Sequence, residues 1–225
     1  MSASAATLAV LVGWGTVVGL DLVSVPQAMI ARPLVAATVA GAILGDVEAG
    51  LRLGVVLELF ALDVLPVGAV RYPDYGPATV GATLAAVGSS WQPALGVATA
   101  IGLVVALIGG MTLQWLRHRN ARAIQARAAA LAAGSRSAVR TLQYQSIARD
   151  ALRSAALTGL ALLLADAALR WLRLDEGTAV ALTVVAAGAA LSAVVGGALR
   201  SAGHGARVRW LAAGGALGLG LAALA

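Results

Sequence analysis

The chain has 225 residues, of which 60% are hydrophobic and 12% charged, and its mean hydropathy is +0.89. Soluble domains carry about 25% charged residues, so this composition speaks against a soluble enzyme and for an integral membrane protein. A net charge of +6 and a pI near 11.2 would also suit a nucleic-acid binder, but the basic residues, all arginine, flank apolar stretches instead of interleaving with aromatics, which favours lipid over nucleic acid as the neighbour.

The first apolar stretch, residues 7–20, lacks the basic region that precedes a cleaved signal and is read as a retained membrane segment. From there to about residue 92 the apolar stretches are short. Residues 33–45, 51–70 and 78–88 are each cut by glycine, proline or charge, and Pro33, Pro66, Pro73 and Pro77 all fall in this half. Proline inside a helix removes a hydrogen bond and clashes with the preceding turn. Freed backbone groups at membrane depth are tolerated only where protein or a polar cavity covers them. Interrupted segments of this kind are the best sequence pointer to a transporter binding site.

The second half is simpler. Residues 96–116, 155–171, 178–199 and 208–225 are apolar over lengths that suit the roughly 20 residues needed to cross a bilayer. The predicted fold is therefore all-α: a polytopic integral membrane protein with broken or re-entrant helices over residues 1–92 and regular transmembrane helices over 93–225. An arginine-rich segment at about 117–153, with Arg117, Arg119, Arg122, Arg127, Arg136, Arg140, Arg149 and Arg153, is placed in the cytoplasm by the positive-inside rule. Alternation then returns the loop holding Arg200, Arg207 and Arg209 to the same side. Trp115 and Trp210 fall at the cytoplasmic edge, Trp91 and Trp171 at the outer edge, as interfacial indoles should. The segment is rich in helix formers and is expected to make one or two helices on the inner surface, broken near Gly134-Ser135, that rest on anionic lipid or dock a soluble partner.

Polar residues in the first half form an ordered set: Asp21, Gln27-Ala-Met-Ile-Ala-Arg32-Pro33, Gly45-Asp46, Glu58 and Tyr72-Pro73-Asp74. Charges within apolar segments are expensive and mark sites by default. Glu58 sits among apolar neighbours and needs a partner or a ligand; Arg32 and Arg52 are the cations that would brace it. Arg32-Pro33 is a helix start, because proline fixes its own φ and pushes the preceding residue out of the helical region; Arg32 itself is a brace, a ligand contact or an interfacial anchor. Asp46 and Glu48 read as turn and cap chemistry. Gly41 with Gly45, and Gly50 with Gly54, have the spacing that lets helices approach closely. Tyr72 and Tyr75 suit either stacking on a ligand or the interfacial belt. His118 and His204 lie in basic loops and read as exposed. Without cysteine, an HExxH motif or a phosphate-binding glycine loop, no metal, other cofactor or catalytic residue is expected.

In order and spacing over roughly residues 20–88, this set resembles the membrane-spanning IIC component of mannose/fructose/sorbose-type sugar phosphotransferase systems (PTS). The resemblance is carried by Gln27-Ala-Met-Ile-Ala-Arg32-Pro33-Leu34-Val35, Gly45-Asp46, Gly50-Leu-Arg-Leu-Gly54, Leu57-Glu58-Leu59, Pro66-Val-Gly-Ala69 and Pro73-Asp74. It implies a multi-pass subunit of the bacterial inner membrane that moves a hexose-like sugar. Further implied are a IID membrane partner in an oligomeric complex and soluble IIA and IIB subunits that carry the phosphoryl group. Gln27, Glu58, Asp74 and Arg32 become the expected sugar contacts, with Tyr72 and Asp21 as accessories. The carboxylates accept from hydroxyls, while the Gln27 carboxamide both donates and accepts. The alternatives are a non-transporting membrane scaffold and a permease for another small polar solute.

Overall fold

A chain this apolar meets its backbone hydrogen-bonding needs within helices, and caps and prolines decide where each begins. In the computed structural model the described residues are 3–62, 71–88 and 94–201, with 205, 209 and 213 singly. Helix α1 (Ala5–Val23) starts at Ser4, whose hydroxyl accepts from the Thr7 amide at 3.1 Å. Helix α2 (Pro33–Leu44) starts on Pro33, with Arg32 in the extended conformation that proline demands, and ends at Gly45 in the left-handed region, φ 87°. Asp46 then caps α3 (Val47–Ala61), accepting from the Ala49 amide at 2.9 Å. The cap role expected of Asp46 is what is found. Helix α4 (Tyr75–Gly88) takes Pro77 into its first turn, where a missing N–H is harmless.

α5 (Leu95–Gln125) and α7 (Arg136–Trp171) are long, with the short α6 (Ala128–Ala132) between them and α8 (Glu176–Ser201) after. Gly134 at φ 73° and the Ser135 cap make the break expected near 134–135. The surrounding segment differs from expectation. Apart from the short α6, residues 117–153 belong to the apolar helices themselves: α5 continues through Arg117 to Gln125, and α7 runs from Arg136 straight into its apolar part. At 1.5 Å per residue, α5 spans about 46 Å and α7 about 54 Å, more than a roughly 30 Å hydrocarbon core. Their arginine-rich ends therefore project as a paired arm, joined by Asn120, which donates to Ser146 at 2.7 Å and accepts from Arg149 at 3.1 Å.

Among the described residues α1, α5, α7 and α8 are long and apolar enough to cross a membrane, whereas α2 is a shorter apolar helix. The expected span at 208–225, apart from the single residues 209 and 213, lies outside the described residues, as do Pro66, Trp91, His204 and Trp210. Helix α4 is the hub, packing against α1, α2, α3, α5 and α7. Every residue from Gly76 to Ala86 is buried, and most are Ala, Gly or Thr, small enough for five helices to approach one axis. Leu53, Leu57, Val80, Leu84 and Leu162 fill the spaces between. By contrast α8 is largely exposed, presenting Val184, Val185 and Leu191 outward, as a lipid-facing helix does.

Helices α2 and α3 form a hairpin in which backbones touch. A Cβ on Gly41 would stand 2.5 Å from the Asp46 carbonyl oxygen, and one on Gly50 would overlap the Ala37 carbonyl oxygen. Gly50→Ala is expected to destabilise the solubilised protein by about 1–3 kcal/mol through overpacking. Gly13→Ala, on α1 with open space around it, should be neutral or stabilising by about 0.5–1 kcal/mol. Thermal unfolding in detergent checks the pair, and equal melting temperatures would remove the hairpin contact from the account.

Candidate functional site

The segment between α1 and α2 has no regular structure, and a single carboxylate shapes it. Asp21, in the last turn of α1, is 3% exposed. Its Oδ1 accepts from the Ala28 amide at 2.5 Å and its Oδ2 from the Ala31 amide at 3.0 Å. The loop folds back over the helix end with Gln27 and Met29 in the left-handed region, φ 61° and 64°. A non-glycine residue in that region costs on the order of 1–3 kcal/mol, and the two charge-assisted bonds to Asp21 offset it.

This loop forms one wall of a cavity of about 460 Å³, lined by Asp21, Gln27, Met29, Arg32, Tyr72 and Tyr75 among others. Arg32 stands at its edge. Its Nε donates to Glu58 Oε1 at 2.5 Å, and its Nη2 also pairs with that carboxylate. Glu58 Oε2 accepts from the Leu34 amide at 3.2 Å, one of the donors that the start of α2 leaves unpaired. Glu58 is thus a brace behind Arg32 and does not line the cavity. Arg52, the other cation considered for it, pairs with Glu48 at the surface instead.

Tyr72 is buried and lines the cavity from the opposite side. The Arg117 guanidinium lies 5.3 Å from its ring centroid and donates to its hydroxyl at 3.0 Å, so this tyrosine is clamped from α5. Its main chain rests on Gly110, where any Cβ would meet the Tyr72 carbonyl oxygen at 2.5 Å. Two residues on, the Asp74 amide donates to the Ala106 carbonyl at 2.9 Å.

Asp74 requires a correction to the expected geometry. Its side chain is fully buried and faces away from the cavity, toward Arg153 of α7, whose Nη1 donates to Oδ2 at 2.7 Å. The same guanidinium donates through Nε and Nη2 to Asp150 Oδ1 at 3.1 and 2.9 Å. Asp150 Oδ2 in turn accepts from Ser24 Oγ at 2.6 Å. Arg153, expected in an exposed basic segment, is 7% exposed. The sequence signal for it is the Asp150-x-x-Arg153 spacing: Asp150 is the lone acidic residue among the arginines of 117–153, at the point where the apolar part of α7 begins.

The Gln27, Arg32, Asp21 and Tyr72 positions are therefore brought to one cavity, while Glu58 and Asp74 stand behind its walls. The lining combines a carboxamide, a guanidinium edge and two aromatic rings with apolar Pro33 and Ala61. Such a mixed surface suits a small ligand with hydroxyls on its edge and an apolar face. His118 is exposed and its ring Nδ1 bonds the Gln114 carbonyl of its own helix at 2.7 Å. Among the described residues no three His, Asp or Glu side chains are grouped to hold a metal.

The family model for the PTS system sorbose-specific IIC component matches residues 4–203. The chain belongs to this IIC family. It is 40% identical over 75 residues to the PTS system sorbose-specific EIIC component of Klebsiella pneumoniae and to the fructose permease IIC component of Bacillus subtilis (strain 168). It is 36% identical over 75 residues to the PTS system mannose-specific EIIC component of Escherichia coli (strain K12). Each match covers 33% of this chain and 28% of the relative. Solved structures share the fold. One, described as a membrane protein, has a TM-score of 0.75 at 20% identity, covering 99% of this chain and 96% of the other. The second is the mannose transporter ManYZ in complex with microcin E492, with a TM-score of 0.64 at 21% identity, covering 100% and 96%. The architecture of this IIC-family chain is thus that of known membrane proteins.

In this family member the Arg153 cluster is open to direct test. Arg153→Met leaves Asp74 and Asp150 buried without a counter-charge, and removing one partner from a buried network costs about 3–5 kcal/mol. Folded protein recovered by size exclusion should fall sharply. Adding Asp74→Asn and Asp150→Asn to Arg153→Met should restore part of the loss, whereas undiminished recovery of the single variant would contradict the cluster's role.

Proposed function

We propose that the chain is the membrane sugar-transport subunit of a mannose/fructose/sorbose-type phosphotransferase system, and that the cavity between the 24–32 loop and Tyr72 holds the sugar. The observation that carries this reading is the convergence of Gln27, Arg32 and Tyr72 on one cavity of about 460 Å³ in a chain of the IIC family. Gln27 donates to and accepts from sugar hydroxyls, and the Arg32 guanidinium has donors left after pairing with Glu58. Tyr72 and Tyr75 offer apolar faces to the ring. Asp21 acts through the loop, since its two oxygens already accept from main-chain amides. Glu58 acts by fixing Arg32, and Asp74 by fixing Tyr72 from behind.

In this reading residues 1–92 carry the ligand. The α2–α3 hairpin enters and leaves the membrane on one side, and residues 93–225 supply the regular spans that hold it. The protein sits in the bacterial inner membrane with its arginine-rich arm in the cytoplasm, in a complex with a IID subunit. Soluble IIA and IIB subunits phosphorylate the sugar as it emerges, so the chain itself carries no catalytic group. The fold likeness to the ManYZ mannose transporter and the similarity to mannose, fructose and sorbose components support a hexose-like substrate.

Gln27→Ala is expected to weaken hexose binding about tenfold, the loss of roughly one to two neutral hydrogen bonds, with unchanged melting temperature. Asp21→Ala, which frees the loop, should abolish binding. Calorimetric titration of mannose, fructose and sorbose against purified protein measures both. Binding of all three sugars that is unaltered in both variants would overturn the site; variants that fail only to assemble with a partner subunit would favour a scaffold.

A further inference from the structure

A second cavity, also of about 460 Å³, lies on the other side of the Tyr72–Pro73 segment, between it and the outer face of α5. Its α5 side is Leu107, Gly110, Met111 and Gln114, spaced i, i+3, i+4 and i+7 and hence on one helix face. Leu107 and Met111 are 59% and 66% exposed. The opposite wall is Arg71, Tyr72 and Pro73. Asp74 bonds Ala106 and Tyr72 rests on Gly110, so the segment runs antiparallel to α5 and brings Arg71 to the Gln114 end.

The cavity is therefore graded along the axis of α5. At one end are Arg71 and Gln114, next to Trp115, an exposed indole under the Arg119 guanidinium and a marker of the bilayer interface. About 10 Å deeper, at 1.5 Å per residue of helix, the lining is Leu107. Arg71 is exposed, and among the described residues it makes no ion pair or hydrogen bond and the cavity lining holds no carboxylate. A guanidinium at interface depth with free donors is complementary to a phosphate oxygen pair, and Leu107 and Met111 below it are complementary to acyl chain. The positive-inside rule puts this arginine-rich end on the cytoplasmic side, where anionic lipids concentrate.

We propose that this cavity binds an anionic phospholipid, with its headgroup phosphate on Arg71 and Gln114 and an acyl chain along Met111 and Leu107. A soluble anion would satisfy only the polar end and leave the apolar half uncovered. The site is separate from the sugar cavity, yet both share the Tyr72–Pro73 wall, so the lipid seats against the outer surface of a segment whose inner surface faces the other cavity.

The test uses the full chain purified in mild detergent, with native mass spectrometry and thermal unfolding as readouts. Dioleoyl phosphatidylglycerol, dioleoyl phosphatidylcholine and inorganic phosphate are added in parallel. Phosphatidylglycerol should be retained selectively and raise the melting temperature. Arg71→Gln should reduce that retention about tenfold or more, as loss of a charge-assisted phosphate contact implies. Met111→Trp, which fills the apolar half with Arg71 intact, should reduce it as well, and Arg119→Gln, at the same rim, should leave it unchanged. Equal retention of the two lipids would overturn the proposal. So would wild-type retention in Arg71→Gln, an equal loss in Arg119→Gln, or a matching thermal shift with inorganic phosphate, which would identify a soluble-anion site.

Discussion

Arg153 between Asp74 and Asp150 is the constraint on which much of the remaining structure hangs. Two carboxylates share one guanidinium in a buried setting, and each also fixes a separate piece of chain. Asp150 reaches Ser24 at the end of α1. Asp74 sets the register of the irregular 71–74 segment against α5. Both cavity walls therefore answer to one position on α7: the loop after α1 on one side and Tyr72 on the other. Isolated ion pairs in low dielectric are poor stabilisers compared with apolar packing. What this one supplies is position, in a region where proline and glycine deny the backbone a regular ladder.

Away from that cluster the fold is held by small residues. Helix α4 is buried along its length because Ala, Gly and Thr keep it narrow. The α2–α3 hairpin closes because Gly41 and Gly50 leave room for carbonyl oxygens. Between helices in lipid the hydrophobic effect offers little, so close van der Waals approach does the holding. The same logic joins α1 to α7, where a Cβ on Gly15 or Gly19 would collide with Thr158 or Ser154.

Local chemistry was legible in the sequence wherever it obeys a local rule. Pro33 as a helix start, Gly45-Asp46 as stop and cap, the break at Gly134-Ser135, and the need of Glu58 for an arginine brace all follow from neighbours a few residues apart or from the need to neutralise a buried charge; the choice of Arg32 over Arg52 comes from the structure. The misreadings share one cause. Arg153 stands among seven other arginines in a basic segment, and composition alone does not single out the one whose partner is 79 positions away. The resemblance makes Asp74 a sugar contact, whereas its carboxylate is taken up by Arg153. The continuous helices through 117–125 and 136–153 were missed for a related reason: hydropathy marks where the bilayer ends, whereas the helix continues because its backbone bonds and propensity are indifferent to that boundary.

Asp21 has a different consequence. It holds the 24–32 loop through the main-chain amides of residues 28 and 31, and an amide is the same whichever side chain it carries. The anchorage is thereby uncoupled from the loop's side chains. The side chains of Gln27, Ala28 and Met29 are surface-exposed and take no part in that anchorage, so residues that tolerate the left-handed backbone at 27 and 29 can replace them while the loop stays in place. One scaffold can then be retuned to different ligands by substitution at two or three positions, without rebuilding the helices beneath.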